Sequence, residues 1–271
     1  MTAIDPHIRA EILDRLAAIE RDEDVRILFA VESGSRAWGF PSTDSDYDVR
    51  FVYLRPRDWY LRLSPSRDVI EPPIDGLMDF AGWDVRKALL LALQSNAGLS
   101  EWLESPIIYR ADAPAMARLR GVADALMRVD ALRWHYLHLG ERQWGNLGNQ
   151  PEVAQKRYLY ALRPALMLRH LRLHNRRPPM AIDGLLAEVD LAPSTRSAVE
   201  AFIIRKATAR EMGTGPRIAA FDALIIEEMA RARERVGTSA GHPAAEALAL
   251  ADRAFIDLLA APSSARATHA D

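Results

Sequence analysis

Ile27-Leu28-Phe29-Ala30-Val31-Glu32-Ser33-Gly34-Ser35-Arg36-Ala37-Trp38-Gly39-Phe40-Pro41-Ser42-Thr43-Asp44-Ser45-Asp46-Tyr47-Asp48-Val49-Arg50-Phe51-Val52 is the stretch on which the reading of the fold turns. Its two ends are apolar runs of strand character. Between them lie a Gly-Ser turn and an Asp-x-Asp pair, so the segment reads as strand, phosphate-cradling turn, short helix and second strand. Period two along a strand puts Asp46 and Asp48 on one face, a costly pairing of like charges unless a cation sits with them. A divalent cation relieves that cost. Mg²⁺ or Mn²⁺ takes one or two carboxylates and completes its shell with water and substrate phosphates, which points to nucleoside triphosphate chemistry. Gly34 lets the backbone approach phosphates, and Ser35, opening a short helix, offers its hydroxyl and amide to their oxygens. Arg36 reads equally as a phosphate ligand or as the partner of Glu32 or Asp44, while Trp38 reads as a cover for a nucleotide or, more simply, as a buried anchor for the short helix.

Outward from this stretch, Ile8, Ile12, Leu16 and Ile19 recur at helical spacing, with Asp5-Pro6 as cap and first helical residue. Residues 63–75 are rich in Pro, Ser and Asp and read as loop or edge strand. Leu77-Met78-Asp79-Phe80 is a short apolar run with one acid embedded in it. Val85, Ala88, Leu89, Ala92 and Leu93 share a helical face, from which Lys87 points away. Residues 99–103 read as a short helix and 107–109 as a last strand or crossover. Beyond a boundary near residues 110–114 everything reads as helical, without strand candidates: 115–128, 130–144, 151–174, 195–212, 217–235 and 244–259. The small-residue tail from Ala261 is expected to be disordered.

At 271 residues and 49% hydrophobic content the chain can bury one large core or two smaller ones. A formal net charge of −2 excludes neither nucleic acid nor a small molecule as partner. The absence of cysteine excludes a disulfide framework, a thiolate metal site and a catalytic thiol. No apolar run approaches the roughly 18 residues of a membrane span, and cytoplasmic residence is the default expectation. Only three of the 35 basic residues are lysines: Lys87, Lys156 and Lys206. Against such a bias a retained lysine marks a place for a compact ammonium, as on a phosphate; chance survival is the competing reading.

Gly34-Ser35 followed by Asp46-x-Asp48 resembles the signature of the DNA polymerase β-like nucleotidyltransferase superfamily. More narrowly, Gly-Ser-Arg-Ala-Trp-Gly, Ser-Asp-Tyr-Asp-Val-Arg, Gly82-Trp-Asp-Val-Arg-Lys87, Ser95-Asn96 and Glu101-Trp-Leu-Glu-Ser-Pro106 resemble the RNA-ligase-associated predicted nucleotidyltransferases. Lys156-Arg-Tyr-Leu-Tyr160, Arg163-Pro164 and the stretch 206–211 also fit. The resemblance implies an α+β protein with a polymerase-β-like core over residues 1–112, an all-α domain over 113–261 and a tail over 262–271. It implies a metal-dependent enzyme that moves NMP from an NTP, ATP by expectation, to a hydroxyl with release of pyrophosphate. NTP and metal would lie in the cleft between the domains.

The superfamily pattern asks for a third carboxylate on a neighbouring strand. Met78-Asp79-Phe80 fits best, with Asp75 and Asp84 as competitors, Asp84 also reading as an acid in a helix's first turn. Asp46, Asp48 and Asp79 are therefore the expected catalytic and metal-holding residues. Gly34, Ser35, Arg36, Lys87, Lys156, Tyr160, Arg163 and Lys206 are the expected nucleotide-binding ones. Lys156, Tyr160, Arg163, Met167, His170 and His174 fall on one helical face that would close over the triphosphate, with a kink at Pro164. His170 and His174, four residues apart, could hold a metal, but no third ligand is legible and a packed or solvated pair is the simpler reading. Arg169, Arg172, Arg176 and Arg177 form the most basic patch, a surface for an RNA backbone or an ordinary basic helix end. A protein or small-molecule acceptor, and a catalytically silent nucleotide-binding module, are the alternatives.

Overall fold

The computed structural model describes residues 4–42, 44–64, 67–208, 213–235 and 245–261. The chain opens with α1 (Pro6–Asp22), whose first turn is capped by the Asp5 side chain on the His7 amide at 2.8 Å. There follow β1 (Arg26–Glu32), the five-residue α2 (Gly34–Trp38), β2 (Tyr47–Leu54), α3 (Arg57–Tyr60), β3 (Val69–Ile70), β4 (Met78–Asp84), α4 (Val85–Leu93), α5 (Ala97–Leu103), β5 (Ile108–Ala111) and α6 (Ala113–Ala125). Next come α7 (Val129–Leu147), β6 (Glu152–Ala154), α8 (Gln155–His174), α9 (Ile182–Glu188), α10 (Pro193–Thr208), β7 (Thr214–Pro216) and α11 (Ala219–Arg233). The last is α12 (Ala245–Ala260). The protein is α+β, and no described helix is long and apolar enough to cross a membrane.

Two compact units make up the chain. The first comprises residues 1–34, 46–127 and 242–271, the second 35–45 and 128–241. In the first, five strands form a mixed sheet in the order β3-β4-β2-β1-β5. β2 and β4 are its parallel pair, joined by a crossover long enough to hold α3 and the edge strand β3, as parallel pairing requires. One face buries Ile12 and Leu16 of α1 with Val49, Phe51, Met78 and Phe80. The other buries Val52 and Phe29 with Val85, Leu89, Leu119, Ala254 and Leu258 from α4, α6 and α12. Gly82 is needed at the centre: a Cβ there would lie 2.1 Å from the Phe51 ring.

Membership of the units differs from a boundary at residues 112 and 113. α6 and α12 belong with the sheet, because their apolar faces cover α4. In the second unit α8 packs against α7, α11 and α9. It is buried nearly all round from Gln155 to Leu171, so Arg163, Met167 and His170 of the face expected to close over the triphosphate lie in the interior. α8 runs through Pro164 as a single element. The expectation of no strands in this half is also corrected: β6 and β7 form a three-residue antiparallel ladder, pairing Val153 with Gly215. The expected disordered tail, residues 262–271, lies outside the described residues, as do 209–212 at the end of the expected 195–212 helix.

Candidate active site

The stretch from Ile27 to Val52 folds as strand, short helix and strand, with β1 and β2 antiparallel neighbours. Gly34 starts the helix with φ +58°, a left-handed conformation that suits glycine. Sterics add a stronger demand, since a Cβ on Gly34 would sit 1.8 Å from Asp48 Oδ2. The backbone therefore lies directly against the Asp48 carboxylate. The Ser33 amide donates to the Asp48 carbonyl at 2.8 Å, and the Asp48 amide donates to Glu32 Oε1 at 3.0 Å. Glu32 is fully buried; its other carboxylate oxygen accepts from the Tyr109 hydroxyl, and Ser105 Oγ donates to its carbonyl at 2.6 Å. Burying a carboxylate costs several kcal/mol unless it is paired and hydrogen-bonded, and here its acceptors are occupied from both sides.

The parallel register of β2 and β4 sets Asp48 directly beside Asp79. Alternation puts Asp48, Arg50, Asp79 and Ala81 on one face, at the strands' N-terminal ends, and turns Val49, Met78 and Phe80 into the core beneath α1. Arg50, two residues after Asp48, reaches both acids. One guanidinium nitrogen donates to Asp48 Oδ1 at 2.8 Å and to Asp79 Oδ2 at 2.6 Å, and the other donates to the Asp79 carbonyl at 2.9 Å. Asp46 is exposed just ahead of β2. The donor set is all oxygen, which suits a hard divalent cation, and the Asp48–Asp79 pair already shares one positive charge.

The competing acids are otherwise engaged. Asp75 is exposed and paired with Arg15 at 2.7 Å. Asp84 is fully buried at the far end of β4, where it caps α4 through the Arg86 amide at 2.8 Å and accepts from the Tyr60 hydroxyl at 2.7 Å. Burial pushes its carboxyl above the usual carboxylate range, against the pull of those hydrogen bonds. A groove of about 600 Å³ lies on the α1 face of the sheet, opposite the acids; its cations Arg15, Arg55 and Arg67 are paired with Asp75, Glu23 and Glu71.

One expected phosphate ligand of the first unit stands away from the acids. Lys87 stands on α4, beyond the C-terminal end of β4, paired with Asp68 at 3.0 Å. Asp79 lies five residues up that strand from Asp84, about 16 Å at the usual strand rise. In the second unit Ser35 donates to Ser45 Oγ at 3.0 Å, and Arg36 donates to the Ser45 carbonyl at 2.6 Å. Arg163 is buried, donating to the Met180 carbonyl at 3.1 Å with its guanidinium 4.5 Å above the Trp38 ring. Lys206 is buried as well; its ammonium donates to the Phe40 carbonyl at 2.7 Å and lies 4.5 Å from the Phe40 ring and 5.8 Å from that of Tyr160. Burial, with repulsion from Lys156, brings its pKa down to about 8. Arg163, Lys206 and Tyr160 thus fasten residues 35–45 to α8 and α10 around Trp38 and Phe40, where the sequence pointed to phosphate contacts. Lys156, in the first turn of α8, is exposed.

The basic patch is likewise neutralised from within. Arg169 and Arg172 both donate to Glu228, itself buried, at 2.7–3.0 Å. Arg176 pairs with Glu188 at 2.6 Å, and Arg177 is buried. Arg50 and Tyr109 carried no role in the sequence reading, and Glu32 only that of a partner for Arg36. For Arg50 half of the signal was present, its place two residues from Asp48 on the same strand face; the other half is the register with β4.

A protein of Bacillus subtilis (strain 168), YcgL, described as uncharacterized, is 38% identical over 227 residues, covering 84% of this chain and 87% of its own. A model of the family described as "RlaP: RNA repair pathway DNA polymerase beta family" matches residues 8–257. That match spans both units, the Gly34–Asp48 stretch and Asp79 included, and the chain accordingly belongs to the RlaP family of polymerase-β-like nucleotidyltransferases.

Proposed function

We propose that the protein transfers NMP from an NTP, ATP by preference, to a hydroxyl at an RNA end, releasing pyrophosphate. The observation that carries this reading is the in-register pair Asp48–Asp79, with Gly34 packed on the Asp48 carboxylate. Asp46, Asp48 and Asp79 would hold Mg²⁺ or Mn²⁺, which when bound supplies positive charge to the triphosphate and to the attacking oxygen. Gly34 keeps side-chain bulk away from Asp48, leaving that edge open to a phosphate. Ser35 and Arg36 offer donors from the helix that Gly34 opens. A carboxylate oxygen of Asp79 orients the attacking hydroxyl and accepts its proton. Buried Glu32 fixes the Asp48 backbone, so that carboxylate keeps its place as charge develops. The RNA acceptor rests on the family's description, since Arg169, Arg172 and Arg176 are held by Glu228 and Glu188.

The test is incubation of the full chain with α-labelled NTPs, Mg²⁺ and RNA oligonucleotides, following label transfer and pyrophosphate. Transfer that disappears in Asp46→Ala and Asp48→Ala is the expected result. No transfer to RNA with any NTP, with nucleotide affinity equal in wild type and both variants, would overturn the reading.

A further inference from the structure

A second cluster of metal-ligating side chains lies wholly in the second unit. His170 and His174 stand one turn apart on α8, their rings 4.7 Å apart, and Glu188 closes the end of α9 against them. One ligand atom from each of the three falls within 4.8 Å of the other two. His170 Nε2 lies 2.6 Å from Glu188 Oε2, and His174 Nε2 lies 2.8 Å from the Glu188 carbonyl. Arg176 Nη2 also donates to Glu188 Oε2, at 2.6 Å.

His170 is the unusual member. It is fully buried, and its Nδ1 has no hydrogen-bond partner among the described residues. A buried imidazole with a nitrogen left over is an expensive way to fill a core position that leucine would fill. Burial favours the neutral ring, and Glu188 is held in its charged form: burial pushes that carboxyl up, but the hydrogen bonds from Arg176 and His170 together outweigh it. A neutral imidazole and an ionised carboxylate are the protonation states in which such groups ligate a metal.

We propose that His170, His174 and Glu188 bind a d-block divalent cation of the Zn²⁺ class, tying the C-terminal end of α8 to α9. Two imidazole nitrogens and one carboxylate select such an ion over Mg²⁺, which takes oxygen and keeps its water. Three protein ligands leave one position of a tetrahedron for water. The ligand atoms are already gathered, and loading requires that Glu188 turn from the exposed Arg176 guanidinium, that the His170–Glu188 hydrogen bond give way with the imidazole proton moved to Nδ1, and that His174 leave the Glu188 carbonyl. The ion would close the loop 175–181, whose Met180 carbonyl is held by Arg163. This site is chemically separate from the oxygen-only set at Asp46, Asp48 and Asp79.

The experiment is calorimetric titration of the chelator-stripped full chain with Zn²⁺ in excess Mg²⁺, paired with Cu²⁺ electron paramagnetic resonance. One equivalent of Zn²⁺ should bind and raise the melting temperature, and Cu²⁺ should show coupling to two imidazole nitrogens. Because His170 is buried, the variants alter the exposed side of the site: His174→Ala with Glu188→Gln should weaken Zn²⁺ binding on the order of 100-fold, and Arg176→Ala should tighten it. Asp48→Asn should leave it unchanged. Zn²⁺ binding equal in wild type and the double variant, or Cu²⁺ spectra on the wild type without two-nitrogen coupling, would overturn the assignment, and the spectra stand even if the double variant does not fold.

Discussion

Asp48 and Asp79 sit in register on adjacent parallel strands and are joined by a single guanidinium nitrogen of Arg50. Two carboxylates side by side repel each other unless a cation lies with them, and Arg50 supplies that positive charge. Replacing Arg50 with Ala should cost about 1.5–3 kcal/mol in metal-free buffer, the range for hydrogen bonds to charged groups. Millimolar Mg²⁺ should then restore more stability to Arg50→Ala than to wild type. Melting curves with and without Mg²⁺ check this; equal Mg²⁺ responses would show that Arg50 does not offset the acids' repulsion.

Gly34→Ala places a methyl group where Asp48 Oδ2 now lies and does so at a positive φ. Asp48 is held on its other side by Arg50, so the backbone must give. A displacement near 1 Å at a reacting centre typically costs on the order of 100-fold in rate. Turnover should fall by that factor, while far-ultraviolet circular dichroism stays native.

The three acids near β4 separate cleanly by variant. Asp79→Asn should abolish metal-dependent turnover with little loss of stability. Asp84→Ala removes the α4 cap and the Tyr60 partner, and should cost about 1–3 kcal/mol while the folded fraction stays active. Asp75→Ala should change neither, because its ion pair is exposed. Urea titrations run beside pyrophosphate assays distinguish these outcomes.

Lys206 makes stability depend on pH in the alkaline range. Its folded pKa of about 8 lies below the ordinary 10.5, so the folded state releases its proton before the unfolded state does. The unfolded state binds more protons between those values, and stability therefore rises with pH through that window. The contribution is complete above about 10.5 and lost as pH falls through 8. Wild type should gain stability relative to Lys206→Met between pH 8 and 10, measured as the difference in their urea midpoints.

Glu228 holds Arg169 and Arg172 from a buried position. Glu228→Ala leaves two guanidinium groups partly desolvated, and breaking such a pair typically costs about 3–5 kcal/mol. The two arginines retain some exposure, which favours the lower end. Denaturant unfolding of the full chain provides the measurement.

The elements of the first unit were legible wherever the signal was local. Periodicity located α1, β2 and α4, while Asp79 was singled out through the family's pattern, which asks for a third carboxylate flanked by apolar residues. The role of Arg50 was not, because it depends on the register that sets Asp48 beside Asp79, a pairing between residues 31 apart. The contacts of Arg163 and Lys206 were hidden for a related reason: a cation whose carbonyl partner is Met180 or Phe40 looks in sequence like one awaiting a phosphate. Three-residue strands such as β6 and β7 are too short to show a period. Glu188 could not be tied to the two histidines because fourteen residues and a turn separate it from His174.

The sheet-bearing unit has consequences for how the chain is made. Ala254 and Leu258 of α12 complete the core that α4 and α6 begin, so that core cannot close until residue 258 has been made. At about 5–20 residues per second, synthesis from Met127 to Ala254 takes on the order of ten seconds. Throughout that interval the apolar faces of α4 and α6 leave the ribosome without their last covering helix, while the second unit, residues 35–45 and 128–241, is completed before α12 emerges. For this protein the half translated first is the half that finishes folding last, and a chain cut short before residue 254 would lose its sheet core before its helical one.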